Sequence, residues 1–482
     1  MMRYIFSLKT LVLIFILCSN SVVSHAQEVW SLKQCLQYAE THNLQYQQAK
    51  IAGSLGELNV QSAKNARLPE VSASVTESFN FGRSLDPTTY NFENQNINNT
   101  SLGVNVGSLI YSGNRLNELI EQSKLNLRAQ LYDNEQLKND IALSITTAYL
   151  AALQAKEQVA IVAQQSEISQ AEYERSQKLV KAGVLPEANL IQLEAQLAND
   201  ALSQTTAENA RAQALLTLAQ LLDYYEDFDI ETPALELPDV ASLKARNPKG
   251  IYDYAVKNQP QIKAADFREQ AAEKDINIAR SGKMPSLSWF AGLNSNYVSV
   301  AQELVNKDRI TAIVPIGYVG SLSGEAVVNS YEIPVSDELR RTPFFNQLSN
   351  NFSYNFGLSL RIPIFSQFEN KLNVQRAQYN VENTHLQAQQ SMRNLRADIE
   401  TAYLQALAAA KSYDTAAENL RAQKQAFANT QKRYQLGMAT IFEFNTARNS
   451  QTVAELNLNN ARYEYLFRLK ILDFYEGKSL GF

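Results

Sequence analysis

The stretch from Phe352 to Ile364, FSYNFGLSLRIPI, alternates between apolar and polar side chains along almost its whole length. The apolar positions are Phe352, Tyr354, Phe356, Leu358, Leu360, Ile362 and Ile364. A period of two residues indicates a β-strand with one apolar face and one face turned to water. Residues 364–436, which follow, contain neither Gly nor Pro, and their apolar residues recur at helical spacing. The sequence therefore predicts a strand that leads into an exceptionally long helix.

The same arrangement occurs earlier in the chain, so the sequence is duplicated. Residues 114–182 also lack Gly and Pro. The tetrapeptide TAYL occupies residues 147–150 and again residues 401–404, 254 positions later. Gly183 and Gly437 are separated by the same 254 positions. A period of this size predicts two large half-units, because solenoid proteins repeat every 20 to 50 residues or so.

Each half is predicted to contain a helix, two strands and two long helices. We expect strands at about 70–81, 100–111, 286–297 and 351–365. We expect long helices at about 114–182, 187–225, 366–436 and 439–475. The segments 82–99 and 298–350 are predicted to be outward loops between paired strands. We therefore expect a signal peptide, a first structural repeat, a linker, a second structural repeat and a C-terminal tail, over residues 1–26, 27–226, 227–250, 251–476 and 477–482 in that order.

The first 26 residues have the pattern of an export signal. Arg3 and Lys9 precede an apolar run at residues 11–17, and small residues occupy positions 24 and 26. The apolar run is too short to span a bilayer, which takes about 20 residues. No later stretch is apolar for that length. If the mature chain crosses a membrane, we expect it to do so without hydrophobic helices.

Composition argues against an enzyme and against a nucleic-acid-binding protein. The formal net charge is -5 and charged residues make up 19% of the chain, so no basic surface for nucleic acid is expected. The chain has only three His and two Cys, which leaves little from which to build a zinc site or a Cys–His dyad. It also lacks a P-loop and a nucleophile elbow. We expect no catalytic residue, metal site or cofactor.

The alternating segments suit the strands of an outer-membrane barrel, which span about 10 residues and are apolar towards lipid. A sheet packed on a soluble core is the alternative, since aromatic residues are common in any strand. The candidate lipid-facing residues are Phe79, Trp289, Tyr297, Tyr354, Phe356, Leu358 and Leu360. Four strands cannot close a barrel, because the smallest membrane barrels have about eight. Chains must therefore pool strands: two would give about eight with a filled interior, and three about twelve with an aqueous lumen.

Taken together, these features resemble the TolC family of outer-membrane efflux proteins. The resemblance rests on the signal peptide, the duplicated halves, the paired strands, both TAYL sequences and the turns at Gly183 and Gly437. It implies an α+β fold that is mostly α, in which duplicated long-helix halves form a trimeric periplasmic α-barrel on a 12-stranded outer-membrane β-barrel, with four strands per chain. It also implies a homotrimer, in the lipid of the outer membrane of a Gram-negative bacterium, that docks to a periplasmic adaptor and an inner-membrane pump. Such a duct would export small molecules or proteins without catalysis.

The resemblance also assigns roles to residues near the two helix turns. It makes the residues Gly183, Val184, Leu185, Gly437 and Met438 candidates for adaptor contact. In the family, two acidic residues after the second turn form rings that close the tube at its periplasmic end. Here the first corresponds to Glu443 but the second to Thr446, and the first-half equivalents are Asn189 and Gln192. These four residues are the candidate gate, which departs from a double acidic ring. The bland alternative for Glu443 is a solvated residue on a helix surface.

A second function stays open at this point. Long helices with coiled-coil-like packing also occur in periplasmic structural or adaptor proteins. That function predicts that the alternating segments form a soluble sheet, and membrane fractionation separates the two. The exported substrate, and the adaptor and pump that the chain serves, are not predicted.

Overall fold

The structure is a computed structural model that describes residues 28–85, 91–233, 237–305, 311–320, 326–334, 339–478 and 480. The predicted signal peptide lies outside the described residues. Contacts between Cα atoms divide the chain into two compact units. Of the described residues, the first comprises those within 1–58, 124–271 and 381–482, and the second comprises those within 59–123 and 272–380. Each unit takes segments from both predicted repeats, so the compact units do not coincide with the repeats.

Helices and strands are numbered here in chain order over the described residues. The helices are α1 (Leu32–His42), α2 (Leu44–Asn65), α3 (Arg115–Lys181), α4 (Glu187–Leu222), α5 (Val240–Lys244), α6 (Pro248–Asn258), α7 (Pro260–Ser281), α8 (Phe344–Asn350), α9 (Glu369–Gln435) and α10 (Ile441–Tyr475). The strands are β1 (Glu28–Trp30), β2 (Glu70–Leu85), β3 (Phe92–Ser112), β4 (Phe228–Ile230), β5 (Ser286–Val298), β6 (Gln302–Leu304), β7 (Thr311–Gly320), β8 (Ala326–Pro334), β9 (Leu339–Arg341) and β10 (Ser353–Arg361).

Two helices of equal length dominate the chain, as the segments without Gly and Pro predict. Helices α3 and α9 have 67 residues each, which makes each about 100 Å long at 1.5 Å per residue. Helix α4 ends at Leu222, earlier than the predicted residue 225. The reason is local: Asp223 adopts a left-handed backbone with φ 57° and closes the helix.

Both 67-residue helices begin after two residues with a left-handed backbone. Gly113 and Asn114, with φ of 64° and 68°, precede α3, and Gln367 and Phe368, with φ of 51° and 64°, precede α9. The two pairs are 254 positions apart, so the duplication extends to backbone conformation. The second long helix was predicted from residue 366, but it begins at Glu369 because left-handed residues cannot start a right-handed helix.

The second unit contains a four-stranded antiparallel sheet with strand order β10-β5-β3-β2. Strand β10 ends at Arg361, although the alternation predicted a strand to residue 365. Pro363 accounts for the early end, because proline has no N–H to donate to a ladder. The prediction of an outward loop over 82–99 is wrong in large part, since β2 extends to Leu85 and β3 begins at Phe92.

Two other segments contain more regular structure than the sequence indicated. The predicted loop 298–350 contains the antiparallel pairs β6–β9 and β7–β8 and the helix α8. The predicted linker 227–250 contains β4, which pairs in parallel with β1, and the helix α5. Strands of three residues, such as β1 and β4, are too short to show a period in the sequence.

Both TAYL sequences contribute residues to apolar clusters of the first unit. Tyr149, 1% exposed, donates its hydroxyl to the carbonyl oxygens of Trp30 at 3.1 Å and Glu231 at 2.7 Å. The helix α3 is thereby tied to the strand β1 and the end of β4. Ala402, from the second copy, is buried in a separate apolar cluster with Leu395 and other residues of α9 and α10. Each copy therefore anchors a core of its own.

Candidate functional site

The two turns that join a long helix to its return helix share one backbone geometry. Gly183 and Gly437 both have φ of 73°. The N–H after each glycine donates to the carbonyl five residues earlier, at 2.9 Å for Val184 and 2.8 Å for Met438. This is the Schellman motif, which glycine enters without a Cβ penalty. No atom lies within 4 Å of a Cβ built at either glycine, so both turns face open space within the described chain.

Apolar side chains at these turns are exposed. Val184 and Met438 are each 65% exposed and Leu436 is 75% exposed, whereas Leu185 is half-buried. The helices beneath are well packed, around a cluster formed by Leu193, Phe427, Ile441 and Phe444. Exposed apolar groups on a rigid, packed base are typical of a protein-contact surface.

Glu443, the acidic candidate for a gate, caps its own helix. It is the third residue of α10, and its Oε2 accepts from the N–H of Thr440 at 2.7 Å. In return the Glu443 N–H donates to the Thr440 hydroxyl at 3.2 Å, which completes a capping box. The hydrogen bond from the Thr440 N–H, and then that from its hydroxyl, lowers the pKa of the Glu443 carboxyl. The carboxylate therefore stays ionised and already has local partners.

The other three gate candidates lie near the starts of the return helices. Asn189 and Gln192 are in the first two turns of α4, half-buried and exposed respectively, and Thr446 is exposed on α10. Pro186 precedes α4 and makes no side-chain cap, so the capping box of α10 has no equivalent in the first repeat. The chain therefore contributes one carboxylate at these four positions.

A buried ionic cluster in the first unit was missed by the sequence analysis. Arg448 on α10 has 1% of its side chain exposed and lies 3.5 Å, Nη2 to Oδ2, from Asp200 on α4. Ser169 on α3 accepts from Arg448 Nη1 and donates to Asp200. Gln196 donates to the other Asp200 oxygen at 2.8 Å. The cluster connects helices of both repeats, but a single Arg in an amphipathic helix gives no sequence signal of burial.

The register of the sheet in the second unit collects the apolar residues on one face. Residues directly opposite in adjacent strands share a face. The apolar face is formed by Val71, Ala73 and Val75 of β2, Leu102, Val104 and Val106 of β3, Leu287, Trp289, Ala291 and Leu293 of β5, and Tyr354, Phe356, Leu358 and Leu360 of β10. Tyr354 is 80% and Phe356 72% exposed, so this face is continuous and uncovered within the described chain. The candidates Phe79 and Tyr297 lie on the same face, Phe79 exposed and Tyr297 half-buried.

The one charged residue on the apolar side of β2 between Val71 and Phe81 has a partner. Glu77 accepts a hydrogen bond from the hydroxyl of Thr100, which lies directly opposite on β3. The opposite face carries small polar residues and glycine over most of its area.

In the part of the chain that the structure describes, no helix combines the length and apolarity that crossing a membrane requires. Within the same residues no group of three or more His, Cys, Asp or Glu side chains could hold a metal ion.

Comparison with known proteins identifies the family. The model of the Outer membrane efflux protein family matches residues 35–223 and 251–477. The chain is 23% identical to Outer membrane protein TolC of Escherichia coli (strain K12), over 95% of this chain and 84% of that protein. It is 25% identical to Protein CyaE of Bordetella pertussis, over 44% of each chain.

Solved structures share the fold. The Campylobacter jejuni CmeC outer membrane channel has a TM-score of 0.69 at 17% identity, with 92% of this chain and 85% of that chain covered. The open-state Neisseria gonorrhoeae MtrE outer membrane channel has a TM-score of 0.67 at 18% identity, with 93% and 89% covered. Both of these solved structures are of outer membrane channels. The chain belongs to the outer membrane efflux protein family, and it is an outer-membrane efflux channel of the TolC type.

Proposed function

We propose that three copies of this chain pool their four-stranded sheets into one 12-stranded barrel around an aqueous lumen. The observation that carries the proposal is the continuous apolar face of a sheet whose outer strands, β2 and β10, have unpaired edges within the described residues. An open edge in lipid leaves backbone N–H and C=O groups unsatisfied, at several kcal/mol each. Joining β10 of one copy to β2 of the next satisfies both edges.

The length of the apolar face supports a membrane position. From Val71 to Phe81 the strand β2 advances ten residues, or about 33 Å at 3.3 Å per residue. At the 35 to 45° tilt of membrane barrels, this projects to roughly 25 Å, the height of their apolar band. The aromatic candidates Trp289, Tyr297 and Tyr354 then face lipid, and the opposite, polar face lines the lumen.

The turns at Gly183 and Gly437 serve as docking points for a periplasmic adaptor that connects the channel to an inner-membrane pump. Support comes from the exposed Val184, Leu436 and Met438 side chains on a packed base. Glu443 is the one acidic residue of the proposed gate, with Thr446, Asn189 and Gln192 as its neutral members. The Glu443 Oε1 lies 3.8 Å from the Arg433 Nη2, and the Glu443 side chain is still 46% exposed. Three copies around an axis would therefore still present three carboxylates to passing ions.

Adjacent residues of β10 provide a direct test. Leu358 lies on the apolar face and Ser359 on the polar face. Leu358→Arg places a charge on the lipid side, which costs up to about 2 to 4 kcal/mol per copy in a membrane barrel, and should lower assembly in the outer membrane. Ser359→Arg places the same charge in water and should assemble normally. Equal recovery of both variants as membrane-embedded channels would contradict the proposal, and recovery of the native chain in the soluble periplasm would favour a coiled-coil adaptor.

A further inference from the structure

One row on the polar face of the sheet alternates large side chains with glycine. Three consecutive rows run across β2, β3, β5 and β10. They are Glu70–Gly107–Phe290–Gly357, Ser72–Asn105–Gly292–Asn355 and Ser74–Gly103–Asn294–Ser353. In these rows, all of which the structure describes, Phe290 is the one apolar side chain and Glu70 the one charge. Both lie in the same row. The row on one side of them offers only small polar groups, and the row on the other side is Leu109–Ser288–Ser359.

The Phe290 ring leans over one of its two glycine neighbours. A Cβ built at Gly357 would lie 2.5 Å from Phe290 Cζ and 2.9 Å from Cε1. A Cβ at Gly107, on the other side, would have the Trp289 carbonyl oxygen at 3.4 Å as its one neighbour within 4 Å. The space above Gly107 is therefore open, and the ring beside it is 42% exposed.

Glu70 closes the other side of this space. It lies directly opposite Gly107, and β3 alone separates it from Phe290. With strands about 4.8 Å apart, the Cα atoms of Glu70 and Phe290 are roughly 10 Å from each other. The Glu70 side chain is exposed and has no hydrogen-bond or ion-pair partner among the described residues. The free carboxylate of Glu70 and the exposed ring of Phe290 thus lie on either side of Gly107, which has no side chain.

We propose that Glu70, Gly107 and Phe290 form a contact site for organic cations that have an apolar or aromatic body. The Glu70 carboxylate attracts the positive charge of the ligand, and the Phe290 ring contacts its apolar part and offers a cation–π interaction. Gly107 has no side chain, so a bulky ligand fits between them. The site rests on the proposed function, which turns this face towards the lumen. Three copies would place three such contacts around the conduit, so cationic aromatic cargo would pause there while small inorganic ions pass.

Planar-bilayer recordings of the full channel test the site, with tetraphenylphosphonium as the aromatic cation and tetraethylammonium as a cation without rings. We expect tetraphenylphosphonium to cause brief current blockades in the native channel. Phe290→Leu and Glu70→Gln should each shorten the blockade dwell time about 2- to 5-fold, the range of an exposed cation–π or ion-pair contact. Gly107→Val, whose side chain fills the space above position 107, should shorten the dwell time as well. Phe290→Leu should alter tetraethylammonium blockades less.

Glu93→Gln is the matched control, because Glu93 lies on the same face of β3 and pairs with Ser84, away from Phe290. It should leave the dwell time unchanged. A conducting channel in which the Glu70, Gly107 and Phe290 variants retain the native dwell time would overturn the site and leave the proposed function intact. If Glu93→Gln shortens the dwell time as much as Glu70→Gln does, the effect comes from the overall charge of the lumen and not from a local contact. That result would also overturn the site. A chain that forms no conducting channel would overturn both.

Discussion

Thr440 and Glu443 cap the start of α10 reciprocally: the Thr440 N–H donates to Glu443 Oε2 at 2.7 Å, and the Glu443 N–H donates to the Thr440 hydroxyl at 3.2 Å. The residue with the strongest claim to an acidic gate therefore has a structural role of its own. The two roles respond differently to substitution, because capping needs a hydrogen-bond acceptor at 443 and a gate needs a charge.

Two substitutions separate the cap from the charge. Thr440→Ala removes the capping hydroxyl and keeps the carboxylate, so we expect stability to fall by about 1 kcal/mol, read as a lower melting temperature, with an unchanged cation preference. Glu443→Gln keeps a side chain that can complete the box, so the melting temperature should hold. Its cation preference in planar bilayers should fall if three carboxylates line a constriction. If the Glu443→Gln channel keeps the native cation preference, Glu443 caps its helix and does not act as a gate.

Acid should weaken the ion pairs around β4. Burial by itself would raise the pKa of the Asp229 carboxyl, but hydrogen bonds from Lys156 at 2.8 Å, from the Ile230 N–H and from Arg211 at 3.0 Å together lower it. A carboxyl with a lowered folded pKa stabilises the protein above its ordinary pKa, and that contribution is lost as the pH falls through the folded value. Asp229→Asn should therefore cost about 1 to 2 kcal/mol at neutral pH.

Melting curves of Asp229→Asn and the native chain, recorded from pH 7 downward, check this expectation. The difference in melting temperature should shrink towards zero in acid. Asp227→Asn neutralises an exposed carboxylate two positions away and serves as the control. A difference that does not change with pH would show that the ionised Asp229 contributes nothing to stability.

The left-handed backbone before each long helix predicts that glycine is favoured at the equivalent positions 113 and 367 of the two repeats. Gln367 adopts φ 51°, a conformation that costs a non-glycine residue about 1 to 2 kcal/mol, so Gln367→Gly should raise stability by up to about 1 kcal/mol after the extra entropy of glycine is subtracted. Gly113→Ala should lower stability, because its Cβ would lie 2.5 Å from Met284 Cβ. Thermal melting measures both, and destabilisation by Gln367→Gly would contradict the assigned conformation.

The buried cluster of Arg448, Asp200 and Ser169 should be sensitive to the loss of one partner. Arg448→Met leaves Asp200 as an unpaired buried charge, and we expect a loss of about 3 to 5 kcal/mol. The double variant Arg448→Met with Asp200→Leu removes both charges and should recover much of this loss. The melting temperatures of the two variants and the native chain give the comparison. Equal melting temperatures for the single and double variants would mean that the charge of Asp200 costs no stability once Arg448 is removed, which contradicts an energetic coupling between these two residues.

Periodic features could be predicted from the sequence, and features without a period could not. The two-residue period of β10 and the helical spacing of α3 and α9 extend over enough residues to identify each element. Strands β1 and β4 have three residues each, and the Asn-rich start of β3 shows no alternation and has few strand-forming residues.

The candidate site was predictable to a similar extent. Gly183 and Gly437 mark helix ends by residue type, and both turns have the expected left-handed backbone. Thr440 and Glu443 have the spacing of a capping box, a signal that was present in the sequence and missed. The open space above Gly107 depends on the register of three strands, and register is a property of pairing between distant segments.

The most direct test of a barrel shared by identical copies is the number of chains in the detergent-solubilised particle. Native mass spectrometry gives this number, on material that also conducts in planar bilayers. We predict three chains per particle and stepwise channel openings from the same preparation. A particle that contains one chain and does not conduct would contradict the shared barrel, and the lumen and both of its proposed sites would then have no basis.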